Sequence, residues 1–275
     1  MSRIGRSMIC FGFFSALTAS DVFAQANEKY PIEDRVLEEI IVTAQRREQG
    51  LREVPISIAV IDGQEIENNA ILELEDLSAQ VPGFTVTEAA IATLIFVRGL
   101  GSGINQGFDQ SVGMYIDGVY AGRGRQFRSS FLDIERVELL RGPQGILFGK
   151  NSIAGAINIT TAQPTDELEG YVSARADANH GERNLTAVVS GPLSDTLAGR
   201  IAVKTGGFDG WLFNSYTDRD EADVDETMAR GSLRWMPNDS LEITGKFEAS
   251  EYKVKGRTTQ ITEAGVYGPL YEAYD

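Results

Sequence analysis

The second half of the chain alternates between apolar and polar side chains with a period of two. Between Leu168 and Asp177 small or apolar residues occupy every second position, and residues 241–250 repeat the pattern. Successive side chains of a β-strand point to opposite faces, so this alternation predicts strands with one apolar and one polar face. We expect five such strands, at about 167–178, 183–192, 197–208, 226–236 and 240–252.

The connections between these strands alternate in length. Residues 192–196 and 237–240 are short enough for tight turns, residues 179–182 form an intermediate loop, and residues 210–225 form a long one. Strands of about ten residues with short turns at one end are typical of bacterial membrane-spanning β-barrels, whose short turns face the periplasm. The solvated face of a soluble β-sandwich would give the same alternation, so the preceding part of the chain has to decide.

Residues 54–163 have the mixed pattern of a small α+β unit. A short helix is expected after Asp62, which can cap it together with Glu65, and a second at 72–80, stopped by Pro82-Gly83. A unit of about 110 residues is long enough to bury its own core. Strands are expected at 54–61, 84–87, 93–97, 113–120, 135–140 and 156–161, with a short apolar run at 130–134.

The N-terminal residues have the features of an export signal. Arg3 and Arg6 precede an apolar run at 8–18, and Val22-Phe23-Ala24 supplies a small-residue cleavage site, so residues 1–24 are predicted to be a signal peptide. A membrane anchor is the alternative, but the run is shorter than the ~20 residues that a spanning helix needs. Residues 25–53 are mostly polar and are expected to be a flexible segment.

Charge and residue inventory argue against several classes of protein. The net charge is −15, which argues against a nucleic-acid partner because phosphate contacts need clustered cations. Cys10 is the one cysteine and His180 the one histidine, so a zinc site, a thiol centre or a Ser-His-Asp triad has no support. The glycines before Lys150 lack the spacing of a phosphate-binding loop. We therefore expect no catalytic residues, no cofactor and no metal site, and not an enzyme.

One segment carries a distinctive motif. Residues 134–159 read IERVELLRGPQGILFGKNSIAGAINI, a strand, a tight turn, a glycine-spaced connector and a second strand. Val97-Arg98-Gly99 and Tyr115-Ile116-Asp117-Gly118-Val119 precede it. Together these motifs resemble the plug domain of TonB-dependent outer-membrane receptors. The resemblance implies an α+β plug domain at 54–163, followed at 164–275 by antiparallel transmembrane β-strands of an incomplete β-barrel.

The resemblance also implies a partner-binding segment within the flexible residues 25–53. Residues 38–44 (EEIIVTA) resemble the family's TonB box. An extended β-branched peptide can add a strand to the edge of a partner's sheet, and a flexible linker leaves it accessible. An ordinary edge strand of the plug is the alternative. The residues that would bind TonB are Glu39, Ile40, Ile41, Val42, Thr43 and Ala44.

Two further sets of residues follow from the resemblance. Arg98 and Arg141 stand at the ends of two plug strands and would lock the plug by pairing with carboxylates of the barrel wall, in strands beyond this chain. Outer plug loops would contact the ligand, and the arginines in them suit either an anionic ligand or the acidic lumen wall. The candidate ligand contacts are Asn105, Gln106, Phe108, Arg123, Arg125, Gln126 and Arg128.

By resemblance, the protein is an outer-membrane receptor for energised uptake of a scarce solute, such as a ferric siderophore, into the periplasm. Its expected partners are TonB, outer-membrane lipid and the small-molecule ligand, and a pull on the TonB box would shift or partly unfold the plug. Plugged transporters have about 22 strands, so five strands suggest the N-terminal portion of a longer receptor. A truncated, non-transporting fragment and a passive or adhesive outer-membrane β-barrel are the alternatives.

Overall fold

The computed structural model describes residues 41–42, 49–50, 56–89, 92–103, 110–121, 130–177, 181–210, 212–214 and 218–256. The chain divides into Met1–Glu39 and Ile40–Asp275, and every described residue belongs to the second unit. No helix within these stretches is long and apolar enough to cross a membrane. The predicted signal peptide and most of the flexible segment lie outside the described residues.

Strands dominate the described residues. The strands are β1 (Ile41–Val42), β2 (Gln49–Gly50), β3 (Ile58–Asp62), β4 (Phe84–Ala89), β5 (Ala92–Val97), β6 (Leu100–Gly101), β7 (Val112–Ile116), β8 (Val119–Ala121), β9 (Ile134–Arg141), β10 (Gly155–Thr161), β11 (Glu169–Asp177), β12 (Glu182–Ser194), β13 (Leu197–Phe208), β14 (Leu212–Asn214), β15 (Arg219–Glu221), β16 (Asp223–Asn238) and β17 (Leu241–Lys255). The helices are α1 (Gly63–Asn68), α2 (Leu77–Gln80) and α3 (Gly145–Phe148). The arrangement confirms the predicted fold class, an α+β unit followed by an open antiparallel sheet.

The α+β unit, residues 56–162, is built on a five-stranded sheet with the order β3-β9-β10-β7-β8. β10 lies at its centre, parallel to β7 and antiparallel to β9. Val137 on one face packs in the same apolar cluster as Leu77 of α2 and the smaller sheet β4-β5-β6. The other face carries a second cluster that includes Tyr115 and Phe148. Because both faces are covered, β9 and β10 place apolar side chains on both sides. The second face also holds the buried polar pair Asn158 and Glu138, joined by a hydrogen bond of 3.1 Å.

The helices of the unit differ in how well the sequence anticipates them. The predicted cap of α1 is confirmed, because the Asp62 carboxylate accepts a hydrogen bond from the Glu65 amide at 2.7 Å. The predicted helix at 72–80 is wrong over its first half, and only α2 is helical. The Asp76 carboxylate accepts the Leu72 amide at 2.7 Å and the Glu73 amide at 3.1 Å, which folds this stretch into a turn.

The predicted strand at 113–120 is a hairpin in the structure. β7 and β8 pair in an antiparallel manner on either side of Asp117 and Gly118. These two residues have φ angles of 49° and 79°, the left-handed conformation that a tight two-residue hairpin turn requires. Asp-Gly is a favoured sequence for such a turn, so the signal for the break was present. The connector after β9 also contains the short helix α3, which the sequence analysis did not predict.

The strand wall, which we define as β11, β12, β13, β16 and β17, is an antiparallel sheet in that order. Its five strands confirm the five that the alternation predicts. The loop predicted at 210–225 contains the small hairpin β14–β15. Along β13, Arg200 and Lys204 are buried whereas Ile201 and Val203 are exposed. One face of the wall therefore contacts the α+β unit, and the other face points away from it.

The outward face of the strand wall is apolar over its middle and charged at one end. Phe247 is 75% exposed and Val172 is 73% exposed, although both are large and apolar. Near the longer loops the face becomes polar, and Arg183 pairs with Asp209 and Asp225. An apolar band of this kind is what a strand wall presents to lipid. The exposed apolar residues of this face are Leu168, Val172, Leu185, Val189, Leu193, Ile201, Val203, Leu233, Trp235, Leu241, Ile243 and Phe247.

Replacing Gly155 by Ala should destabilise the α+β unit by about 1–3 kcal/mol. A Cβ atom at Gly155 would lie 2.5 Å from the main-chain oxygen of Leu140 on the neighbouring strand. Hydrogen exchange of the β9 and β10 amides in the intact protein measures the loss. Gly103→Ala is the matched control, since a Cβ atom there meets nothing within 4 Å. If the β9 and β10 amides are equally protected from exchange in Gly155→Ala and Gly103→Ala, the close packing inferred at Gly155 is wrong.

Candidate functional site: the contact between the α+β unit and the strand wall

Four consecutive residues of the α+β unit, Ser130–Asp133, form its main contact with the strand wall. We call them the docking segment. The Leu132 side chain is 1% exposed and lies in an apolar cluster with Val188 of β12, Ala202 of β13 and Met228 of β16. This cluster excludes water from the polar contacts beside it, which strengthens their electrostatic interactions.

Asp133 forms a buried ion pair between the docking segment and the strand wall. Arg200 of β13 donates from Nε to Asp133 Oδ2 at 2.7 Å and from Nη2 to Oδ1 at 2.6 Å. The side chains are 5% and 9% exposed. A third donor atom of Arg200, Nη1, reaches Glu169 of β11 at 2.8 Å. Two parallel bonds between a guanidinium and a carboxylate fix orientation as well as distance, so this pair holds the docking segment in one register.

Arg230 of β16 holds the main chain of the same segment. Its Nη1 donates to the Leu132 carbonyl at 2.6 Å and lies 3.4 Å from the Asp133 carbonyl. Its Nε donates to Glu248 of β17 at 2.7 Å, which balances the buried charge. Asp133 itself has a φ of 50°, a conformation that non-glycine residues rarely adopt. The two arginines therefore stabilise a backbone shape that the segment would not favour alone.

Two lysines extend the contact to either side. Lys204 of β13 lies 2.8 Å from Glu226 of β16, whose carboxylate also accepts a hydrogen bond from Ser130. On β17, Lys246 donates to Thr161 Oγ1 at 2.6 Å and lies 3.1 Å from the Asp117 carboxylate. The Asp117 carboxylate in turn accepts the Thr161 amide at 2.9 Å, which ties the β7–β8 turn to the end of β10.

Three wall cations face oxygen atoms of the α+β unit: Arg200 and Arg230 contact the docking segment, and Lys246 contacts Asp117 and Thr161. Lys204 differs, because its partner Glu226 also belongs to the wall, and there the α+β unit supplies the donor, Ser130. Removing one partner of a buried pair leaves an uncompensated charge, so such contacts are costly to break one at a time. The sequence analysis missed these residues. The alternation over residues 241–250 predicts that Lys246 lies on the polar face of its strand, but it gives no sign of its partners.

The predicted locking residues lie elsewhere. Arg98 is exposed, has a φ of 52° and donates its main-chain amide to the Gly83 carbonyl at 2.7 Å. Arg141 Nη1 lies 3.4 Å from Ser57 Oγ, and its Nε is buried without a hydrogen-bond partner. Within the part of the chain that the structure describes, neither guanidinium forms an ion pair. Their predicted partners belong to strands beyond this chain, so the locking role stays a prediction.

The other predicted site residues are described only in part. Ile41 and Val42 of the predicted TonB box form β1, which pairs in an antiparallel manner with Gln49 and Gly50 of β2. The remaining members of the box, and all the candidate ligand contacts, lie outside the described residues: Glu39, Ile40, Thr43, Ala44, Asn105, Gln106, Phe108, Arg123, Arg125, Gln126 and Arg128. No group of His, Cys, Asp and Glu among the described residues has the arrangement of a metal site.

A cavity of about 420 Å³ separates α1 from β11, β12 and β13. Its lining combines Gln64 and Glu67 of the α+β unit with Arg175 and Lys204 of the strand wall. Arg175 donates to the Glu67 carbonyl at 2.5 Å, and its guanidinium lies 3.6 Å from the Glu67 carboxylate. The α+β unit thus packs directly against the strand wall at the docking segment, whereas beside α1 a cavity with many polar lining residues separates the two.

Comparison with known proteins gives a consistent set of similarities. Residues 50–156 match the family model for the TonB-dependent receptor plug domain. The chain is 29% identical over 215 residues to the iron-regulated outer membrane virulence protein of Vibrio cholerae, covering 72% of the chain and 30% of that protein. It is 33% identical over 221 residues to the vitamin B12 transporter BtuB of Vibrio vulnificus, covering 71% of the chain and 34% of that protein.

A solved structure shows the same architecture. The ferric yersiniabactin uptake receptor FyuA from Yersinia pestis matches with a TM-score of 0.66 and 27% identity, over 71% of this chain and 31% of that one. The ferripyoverdine receptor of Pseudomonas aeruginosa matches in fold, with a TM-score of 0.66 and 21% identity, over 77% of this chain and 27% of that one. The chain spans about a third of the length of the curated relatives it matches.

Replacing Asp133 by Asn should weaken the hold of the wall on the α+β unit by about 3 kcal/mol, because Arg230 and Arg200 keep their charges while a buried carboxylate is lost. Hydrogen exchange of residues 130–141 in the intact protein measures the change. Asp166→Asn is the control, since Asp166 also pairs with a wall arginine, Arg234, but its side chain is 74% exposed. That exposed pair should contribute less than about 1 kcal/mol. Equal effects of the two variants would contradict the central role of Asp133.

Proposed function

Because this chain belongs to the TonB-dependent receptor family, we propose that it forms the N-terminal part of an outer-membrane receptor that imports a scarce solute into the periplasm. The observation that carries the proposal is the contact between the α+β unit and the strand wall. A folded unit clamped by buried ion pairs to the polar face of a wall, whose other face is apolar, has the arrangement of a plug inside a barrel in lipid.

The proposed parts of the chain are those expected from the sequence. Residues 1–24 are removed as a signal peptide, and residues 25–53 form the flexible segment with the TonB box at 38–44. Residues 54–163 form the plug, and residues 164–275 contribute the first strands of the barrel. The family comprises transporters and receptors, and the proposed activity includes no covalent chemistry.

The proposed solute is a scarce metal chelate, with a ferric siderophore as the first candidate. Relatives of this chain are named as receptors or transporters for ferric yersiniabactin, vitamin B12 and hemin. The common feature of these three is a large chelate of a transition metal. The plug loops that would contact it contain the candidate residues Asn105, Gln106, Phe108, Arg123, Arg125, Gln126 and Arg128.

The proposed energy input is a pull by TonB on the box. An extended segment pairs with a partner's sheet through main-chain hydrogen bonds, and β1 already adopts such pairing with β2. The chain leads from the box through β2 into β3, an edge strand of the plug sheet. A pull on the box therefore reaches the plug at an edge strand rather than at its centre.

Replacing Ile41 by Pro should abolish energised uptake while leaving ligand binding unchanged, because proline removes a main-chain donor from the segment that would pair with TonB. Uptake and cell-surface binding of labelled ferric siderophores, hemin and vitamin B12 by cells that produce the full-length receptor measure both properties. Gln45→Pro, in the linker beyond the box, is the matched control and should retain uptake. Unchanged uptake in the Ile41→Pro variant would contradict the assignment of the box.

Replacing Arg141 by Ala should destabilise the plug in the full-length receptor by about 3 kcal/mol if Arg141 pairs with wall carboxylates in the further strands. Hydrogen exchange of the β9 amides and the uptake rate report the change. Arg98→Ala should act in the same direction. Arg141→Lys keeps the charge but not the planar fork, and should restore part of the stability. If Arg141→Ala alters neither stability nor uptake, the locking role is wrong.

A further inference from the structure

The cavity between α1 and the strand wall has a strongly asymmetric lining. On the wall side it is lined by three cations, Arg175, Arg200 and Lys204, and by the polar side chains of Ser173, Asn184 and Thr186. No carboxylate of the strand wall lines it. The carboxylates at this cavity, Glu67 and Asp133, both belong to the α+β unit.

Each of these two carboxylates is paired with a cation across the cavity. Glu67 lies against Arg175 of β11, and Asp133 is held by Arg200 of β13. The plug thus places its own negative charges at the positions where the wall offers guanidinium groups. When this side of the plug withdraws, it takes both carboxylates with it and leaves the wall donors without these partners.

We propose that the imported solute is anionic, carrying carboxylate, phosphate or sulfonate groups, and that it passes along β11–β13 in contact with Arg175, Arg200 and Lys204. This inference rests on the proposed function. The carboxylates of Glu67 and Asp133 occupy the cationic positions in the closed state, and the acidic groups of the solute occupy them during passage. Arginine suits this exchange, because its planar guanidinium donates two parallel hydrogen bonds to carboxylate and phosphate groups alike.

Charges around the cavity support a local preference for anions. Arg200 and Lys204 keep their wall partners Glu169 and Glu226, neither of which lines the cavity. Arg175 has Glu67 as its carboxylate partner in the structure, so plug withdrawal leaves a net positive charge on this part of the wall. The net charge of the chain is −15, but charges farther than about 8 Å are largely screened at physiological salt. Among the charged wall residues that line this cavity all are cations, so once the plug withdraws the cavity favours anionic solutes.

The test uses charged thiol reagents as probes of the open passage. Residues 25–275 contain no cysteine, so Ser173→Cys or Thr186→Cys can be placed in a full-length receptor whose other cysteines are replaced. Ser173 and Thr186 are neighbours across β11 and β12. The negatively charged sulfonatoethyl and the positively charged trimethylammonium-ethyl methanethiosulfonates are applied to cells with and without a protonophore. Thr227→Cys, on the outward face of β16, gives the reference rates.

We expect energised cells to modify Ser173→Cys faster than de-energised cells. The ratio of the modification rate by the negative reagent to that by the positive reagent should be at least about fivefold higher at Ser173→Cys than at Thr227→Cys. A cation within several ångströms of the thiol is expected to have an effect of this size. Adding Arg175→Gln should reduce that preference at least about twofold. Lys253→Gln, which removes an exposed cation elsewhere on the wall, should leave it unchanged.

The outcomes separate this inference from the proposed function, because solute uptake is measured in the same cells. Faster modification on energisation without preference for the negative reagent overturns the anionic solute and leaves the receptor function intact. Unchanged modification rates in cells that take up solute show that the passage lies elsewhere, which also overturns the inference. Absence of energised uptake in the unmodified receptor contradicts the proposed function itself.

Discussion

The buried pair between Asp133 and Arg200 is the interaction on which the rest of the structure depends. It joins the α+β unit to the strand wall through two parallel hydrogen bonds in a nearly dry site. Arg230 fixes the main chain beside it, and Leu132 supplies the apolar cover. Moving either charged side chain away alone leaves the other buried without a counter-charge, which is costly. We therefore expect the contacts of the docking segment to separate together when enough force is applied. That property is consistent with the proposed function, in which the plug stays closed at rest and opens when TonB pulls on the box.

The same five strands serve two environments because their side chains alternate. The inward positions carry Arg200, Arg230 and Lys246, which bind the plug, and Lys204, which pairs with Glu226 of the wall. The outward positions carry the exposed apolar band. Burial of the cations against the plug avoids placing them in lipid, where charged residues of a strand wall are costly. One period-two pattern therefore supplies both the inward cations that contact the plug and the outward apolar band. The same pattern also places the cations that line the cavity beside α1.

The sequence anticipated the elements whose cause is local. Alternation predicted all five wall strands, and the Asp62 cap of α1 was readable from residue types. The hairpin at Asp117-Gly118 was missed although its turn signal is local, because the flanking apolar residues suggested one strand. The predicted helix at 72–80 is wrong over its first half because the Asp76 carboxylate accepts hydrogen bonds from the Leu72 and Glu73 amides. The spacing of apolar residues does not reveal these bonds. The ion pairs were beyond prediction, since Asp133 and Arg200 lie 67 positions apart and many cations face the same way.

The most direct test of this account is a double-mutant cycle between Asp133 and Arg200 in the full-length receptor. Hydrogen exchange of the β9 and β10 amides gives the free energy of opening for the wild type, Asp133→Asn, Arg200→Gln and the double variant. We predict a coupling energy of at least about 2 kcal/mol, because the second substitution removes a charge that the first left unpaired. Additive effects, with a coupling below about 0.5 kcal/mol, would show that the plug is held by other contacts.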